Sequence, residues 1–144
     1  MDAAGNVNVS KLAGNTVGPG GFIDIAQNAR KVVFCGTFDT GGARLETGDG
    51  TLRVTSHGRI AKLVGKVDQI TFSGPQACVQ GQHVVYVTER AVFELRQDGV
   101  HLVEIAPGIE LQGDVLDRMG FTPRMDTPPA VMSAGLFRVD LSKE

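Results

Sequence analysis

Four consecutive positions, Gly18-Pro19-Gly20-Gly21, hold three glycines and a proline, and the amphipathic run "FIDIAQNARK" (22–31) follows at once. Glycine-rich backbone at a helix start leaves N–H groups without partners, and the helix dipole adds partial positive charge there. Such a place suits an anion, whether phosphate, carboxylate or a developing oxyanion. A Cβ would hold a ligand off the backbone, so glycine has a chemical use at this point. The spacing is neither the G-x-G-x-x-G of a dinucleotide fold nor a loop ending in G-K-[ST]. On these residues alone, a plain tight turn and an anion site both stand.

The other reactive side chains have plainer readings. Glu89, in "VTERAVF", reads as a partner of Arg90 or a turn cap, and Glu104 alternates outward in "HLVEIA". Asp24 falls in the first turn of the expected helix, where a carboxylate favours the dipole. His57, His83 and His101 lie singly, without metal-ligand spacing, and the last two read as edge or surface residues. Cys35 and Cys78 form no C-x-x-C pair and read as free, buried, small apolar residues.

The elements that would carry these groups follow from periodicity. Phe22, Ile25, Ala26 and Ala29 recur at helical spacing, with Arg30 and Lys31 in the last turn. "VVFC" (32–35) is a continuous apolar run, as for a strand covered on both faces. "ARLET" and "TLRVTS" flank Gly48-Asp49-Gly50 and read as a hairpin. "VDQITFS" (67–73), "HVVYVTE" (83–89), "AVFELR" (91–96) and "HLVEIA" (101–106) read as strands, and Val7 and Val9 alternate as in a short one. Leu111, Val115, Leu116 and Met119 mark one face of a final helix with Gly120 as its cap. Residues 122–144, with three prolines, read as an extended arm. The order of elements predicts an α/β or α+β domain with too few helices to cover its sheet, as if it belonged to a larger fold.

At 144 residues the chain suits one domain. A formal net charge of −2 offers no electrostatic footprint for nucleic acid. The apolar runs fall far short of a membrane span. "MDAAGNVNVS" lacks the basic start and apolar core of a signal peptide, so the expected compartment is the cytoplasm.

Five blocks then point to one family. "GNVNVSK" (5–11), "GPGGFIDIAQNARKVVFCGTF" (18–38), "VDQITFSG" (67–74), "VVYVTERAVFEL" (84–95) and "LVEIAPGIEL" (102–111) together resemble the C-terminal part of a family I coenzyme A transferase. The resemblance is greatest to the single-chain acetate, propionate and short-chain acyl-CoA type, and it covers nearly the whole chain. It implies an open mixed-sheet α/β domain of the CoA-transferase type. Residues 1–144 would form the C-terminal part of its second, beta-subunit-like half. It also implies a reaction that moves CoA from an acyl-CoA to a free carboxylate, with CoA as substrate and no covalently bound cofactor. In that reaction a glutamate attacks the thioester to give an acyl anhydride. CoA thiolate converts the anhydride to a glutamyl-CoA thioester, and the acceptor acid reverses the sequence.

The family's G-x-G-G-[AF] motif, associated with CoA binding and the oxyanion hole, falls on Gly18, Gly20, Gly21 and Phe22, with Pro19 at the variable position. The family's nucleophilic glutamate lies upstream of "GNVNVS", and no glutamate precedes Glu46 here. Glu46, Glu89, Glu94, Glu104 and Glu110 do not match its position. The resemblance therefore implies a component that works with a further polypeptide region or in an oligomer. The alternatives are a non-catalytic CoA-binding or assembly fragment, or an incomplete product without a role of its own. The acid it would accept lies beyond what these residues specify.

Overall fold

Alternating apolar residues build a five-stranded sheet, and the computed structural model describes residues 1–12 and 14–138 of the chain. The elements begin with β1 (Lys11–Leu12), β2 (Asn15–Thr16), α1 (Phe22–Asn28), β3 (Lys31–Cys35) and β4 (Asp39–Thr40). Next come β5 (Arg44–Gly48), β6 (Thr51–Ser56), β7 (Ile60–Ala61), α2 (Gly74–Val79) and β8 (His83–Val87). β9 (Ala91–Arg96), β10 (Gly99–Ile105) and β11 (Ala130–Val131) complete the strands. The sheet order is β11-β10-β9-β8-β3. β3 runs parallel to β8, β8 to β10 form an antiparallel meander, and β11 joins β10 in parallel. This mixed sheet with few helices has the expected α/β class.

The meander supplies the core. Val84, Tyr86, Phe93, Leu95, Val100 and Leu102 are all buried, and α2 packs against β8 and β9. Beside them, the Phe34 ring lies 5.0 Å from Phe72 and 5.5 Å from Tyr86, centroid to centroid. The Tyr86 hydroxyl donates to the Gly5 carbonyl at 2.5 Å, and burial pushes its pKa well above the usual phenol range. Gly5 has φ +76°, and a Cβ there would meet Leu95 Cδ1 at 2.7 Å, so this contact requires glycine. Tyr86→Phe keeps the ring but orphans the carbonyl, and is expected to cost about 1–3 kcal/mol in urea unfolding. A loss below about 0.5 kcal/mol would show that the hydroxyl contributes little net stability.

Several expectations are corrected. Residues 67–73 form no strand. They make bends with one bridge, Val7 to Phe72, and lead into the unexpected helix α2. The Ser73 side chain accepts the Gln76 N–H and Pro75 fills the first turn, which is the chemistry of a helix start. The final helix is a π turn at Leu111–Val115 followed by a 3-10 turn at Leu116–Arg118. Glu110 initiates it by accepting the amides of Gln112 and Gly113. β3 is an edge strand within this chain, and its residues alternate half-buried Val32 and Phe34 with exposed Val33 and Cys35, so "VVFC" is not covered on both faces. Val33 is 48% exposed and Cys35 is exposed, not buried, while Cys78 is half-buried.

His101 is also not a surface residue, being 2% exposed. Its Nε2 lies 2.8 Å from Asp98 and its Nδ1 lies 3.3 Å from Asp126, between two carboxylates the sequence separates widely. Arg96 reaches Asp126 at 2.7 Å, and Arg124 reaches Asp98 at 3.5 Å. These pairs hold the segment after Phe121 against the sheet, where β11 forms and Met132 and Phe137 are buried. The end of the expected arm, 139–144, lies outside the described residues. The hydrogen bond from His101 holds the Asp98 carboxyl below its ordinary value of 3.8. A depressed folded pKa contributes stability that is present above the unfolded value and lost as pH falls through the folded one. Asp98→Asn is therefore expected to lower Tm at about pH 5, with the gap closing below about pH 3. A gap that persists unchanged into acid would contradict this reading. No described helix is long and apolar enough to cross a membrane.

Candidate functional site

The glycine loop enters α1 as a tight turn. Gly20 has φ +56°, the left-handed region that favours glycine. Phe22 N–H donates to the Pro19 carbonyl at 3.1 Å, and Ile25 N–H donates to Gly21 at 3.0 Å, the first bond of the helix. Gly21 is the cap residue and supplies no side-chain acceptor. Among the described residues, the amides of Gly20 and Gly21 have no hydrogen-bond partner in the chain. Asp24 lies in the first turn, as its position predicts.

Packing leaves the loop open. Gly18, Gly20 and Gly21 are exposed, and Phe22 is half-buried. A Cβ added at Gly18 or Gly20 would meet nothing within 4 Å, and one at Gly21 would touch only Ile25 Cδ1 at 3.6 Å. Gly20 is needed by the backbone, whereas Gly18 and Gly21 are demanded neither by backbone nor by packing. Phe22 fixes where the loop sits. Its ring lies 5.9 Å from Phe34, late in β3, so the loop stands toward the C-terminal end of that strand.

The carboxyl ends of parallel strands are where open α/β sheets receive ligands. Here the β3–β8 pair continues past its last residues, with Gly36 N–H donating to Val87 O at 3.0 Å. Two residues on, Phe38 N–H donates to Glu89 Oε2 at 2.8 Å, a side chain taking over from the backbone ladder. Gly36 and Thr37 are exposed, and Lys62 Nζ donates to Thr37 Oγ1 at 2.7 Å.

Behind this turn lies Arg90, with none of its side chain exposed. Its Nε pairs with Glu89 at 2.9 Å and its Nη2 with Asp39 at 3.3 Å. Nη1 donates to the Asp114 carbonyl at 3.3 Å, beside His57 Nδ1 at 3.4 Å, and His57 Nε2 lies 3.5 Å from the Asp114 carboxylate. The guanidinium also stands 4.5 Å above the Phe38 ring. A buried charge is tolerable only with such partners.

Gly18, Gly20 and Gly21 thus fall in one exposed loop, and half-buried Phe22 opens α1 directly after it. The expected pairing of Glu89 with Arg90 is present. Glu94 pairs with Arg96 and His83, and Glu110 caps the π turn. Among the described residues, no hydrogen bond or ion pair links Glu46, Glu89, Glu94, Glu104 or Glu110 to the glycine loop. A hollow of about 210 Å³ opens at the opposite edge of the sheet, beside Arg96, His101 and Pro128. Its charged groups are already paired with one another, so the open strand ends make the better site. The Gly36–Thr37 turn and the burial of Arg90 were not legible in the sequence. The one available signal was a charged pair, Glu89-Arg90, at the end of an apolar strand.

No family model matches the chain. Curated relatives do. Acetate CoA-transferase YdiF of Escherichia coli K12 is 47% identical over 137 residues, which are 95% of this chain and 26% of that protein. Caffeate CoA-transferase of Acetobacterium woodii is 48% identical over 141 residues, 94% of this chain and 27% of that protein. The chain thus spans about a quarter of the length of these relatives. Among solved structures, the acyl-CoA transferase YdiF of Escherichia coli O157:H7, crystallised as a thioester complex with CoA, superposes with a TM-score of 0.93 at 46% identity, over 97% of this chain and 27% of that one. Glutaconate CoA-transferase of Acidaminococcus fermentans shares the fold at 17% identity, with a TM-score of 0.65 over 93% of this chain and 50% of that one.

Proposed function

We infer the chemistry from one premise: the chain belongs to the family I coenzyme A transferases and is a C-terminal part of one. On that basis it is a component of an enzyme that moves CoA between a short-chain acyl-CoA and a free carboxylic acid. The observation that carries this reading is the exposed glycine loop, with two unpartnered amides, at the C-terminal end of β3.

A glutamate from outside these 144 residues attacks the acyl carbonyl carbon, and CoA thiolate leaves to give a mixed anhydride. The thiolate then attacks the glutamyl carbonyl, releasing the first acid and forming glutamyl-CoA. The acceptor carboxylate attacks that thioester, CoA thiolate leaves, and its return to the new acyl carbonyl frees both the new acyl-CoA and the glutamate. Every step passes through a tetrahedral oxyanion. The amides of Gly20 and Gly21 are the donors offered to it, with Phe22 anchoring the loop and Gly18 leaving room for the CoA chain.

Two features support a need for further polypeptide. Among the described residues no strand pairs with the outer edge of β3, and Val33 on β3 and Ile23 and Ile25 on α1 are exposed. An edge of this kind invites a further strand. The test supplies acetyl-CoA and propionate to this chain alone and to the chain together with the remaining region of the transferase. Propionyl-CoA formation only in the second case is expected. CoA binding by the joined protein without any exchange would favour the non-catalytic reading instead.

A further inference from the structure

We propose that Glu89 and Arg90 are a positioning pair for the Gly36–Thr37 turn, which they hold as a second wall of the CoA-transfer site at the C-terminal end of β3, the end toward which the glycine loop also stands. The proposal rests on the function inferred above. Its grounds are three contacts on one short segment. Glu89 Oε2 takes the Phe38 amide at 2.8 Å, the Arg90 guanidinium covers the Phe38 ring at 4.5 Å, and Arg90 Nη2 pairs with Asp39 at 3.3 Å. Amide, ring and the next carboxylate are all gripped from the end of β8. Gly36 and Thr37, just before the gripped residues, stay exposed at the strand ends.

The two residues of the pair do different things. Arg90 is fully buried and tied also to the Asp114 carbonyl and His57, so it anchors the grip to the π turn and to the segment after β6. Glu89 retains 20% side-chain exposure and is the member whose oxygen sets where the chain emerges from β3. Without that oxygen, the Phe38 amide loses its acceptor and the turn before it is free to shift. A displacement of about 1 Å at a reacting site costs on the order of a hundredfold in rate.

The experiment uses the complete transferase and compares Glu89→Ala with Glu89→Gln, which keeps an acceptor oxygen for Phe38. Hydrogen exchange of the peptide covering 36–39 is read beside kcat and the KM for each substrate. The expected result for Glu89→Ala is exchange faster by about tenfold and kcat lower by about tenfold or more, with Glu89→Gln recovering most of both. A purely structural role would leave kcat intact in whatever protein remains folded. If Glu89→Ala exchanges faster yet keeps wild-type kcat and KM values, the turn is held but lines no site, and the proposal fails. If Glu89→Ala does not fold, wild-type exchange with a tenfold lower kcat in Glu89→Gln overturns it, because the restored acceptor would not have restored the rate. Wild-type protein that transfers no CoA would instead sink the functional reading, and this inference with it.

Discussion

Gly21→Val in the complete transferase is expected to lower kcat by roughly a hundredfold or more while leaving Tm unchanged. Gly21 has φ −79° and ψ 3°, a conformation open to any residue, and the space beyond it holds only Ile25 Cδ1 at 3.6 Å. The fold therefore gives no reason to reject a side chain there. The proposed chemistry does, because the substituent would stand where an oxyanion is to approach the amide. Gly20→Val should be at least as damaging. Its φ of +56° adds a backbone cost of roughly 1–2 kcal/mol for any residue with a Cβ, so Gly21 is the cleaner probe. Steady-state kcat with acetyl-CoA and propionate, alongside thermal melting, decides the matter. Wild-type kcat in a stable Gly21→Val protein would reduce the loop to a turn.

The second large effect is on stability. Arg90→Met keeps the length of the side chain but leaves Asp39 and Glu89 facing a buried apolar group in place of a cation. Removing one partner of a buried pair typically costs about 3–5 kcal/mol, far more than an exposed pair would. That is roughly 10 °C or more in Tm for a domain of this size. Urea unfolding of the wild type and Arg90→Met measures it. A loss under about 1 kcal/mol would mean that solvent reaches the carboxylates and the cluster is not the anchor described above.

These two residues also mark what sequence reading reaches. The glycine loop was legible because its information is local: three glycines and a proline before an amphipathic run make a turn and a helix start with spare donors. The meander was legible for the same reason, from period-two alternation and the Asp98-Gly99 turn. Residues 67–73 misled because Val67, Ile70 and Phe72 resemble a strand, while the bond of Ser73 to Gln76 N–H and the turn around Pro75 draw the chain into α2. His101 misled because a titratable residue in a strand is ordinarily exposed, and the burial of Arg90, in the connection between β8 and β9, had no local sign. Their burial is decided by partners 51 residues away at Asp39 and 25 residues away at Asp126, which no local pattern announces. "VVFC" misled because a continuous apolar run reads as a strand covered on both faces, whereas β3 lies at the sheet edge with Val33 and Cys35 exposed.

We propose that this chain offers the oxyanion donors and receives the nucleophile from outside residues 1–144. The direct measurement incubates the complete transferase with acetyl-CoA, reduces the trapped thioester with borohydride, and maps the modified glutamate by peptide mass spectrometry, with CoA exchange by this chain alone as the companion assay. The expected result is a modified glutamate outside residues 1–144 and no exchange by the chain alone. A modification on Glu46, Glu89, Glu94, Glu104 or Glu110, or turnover by these 144 residues unaided, would contradict it.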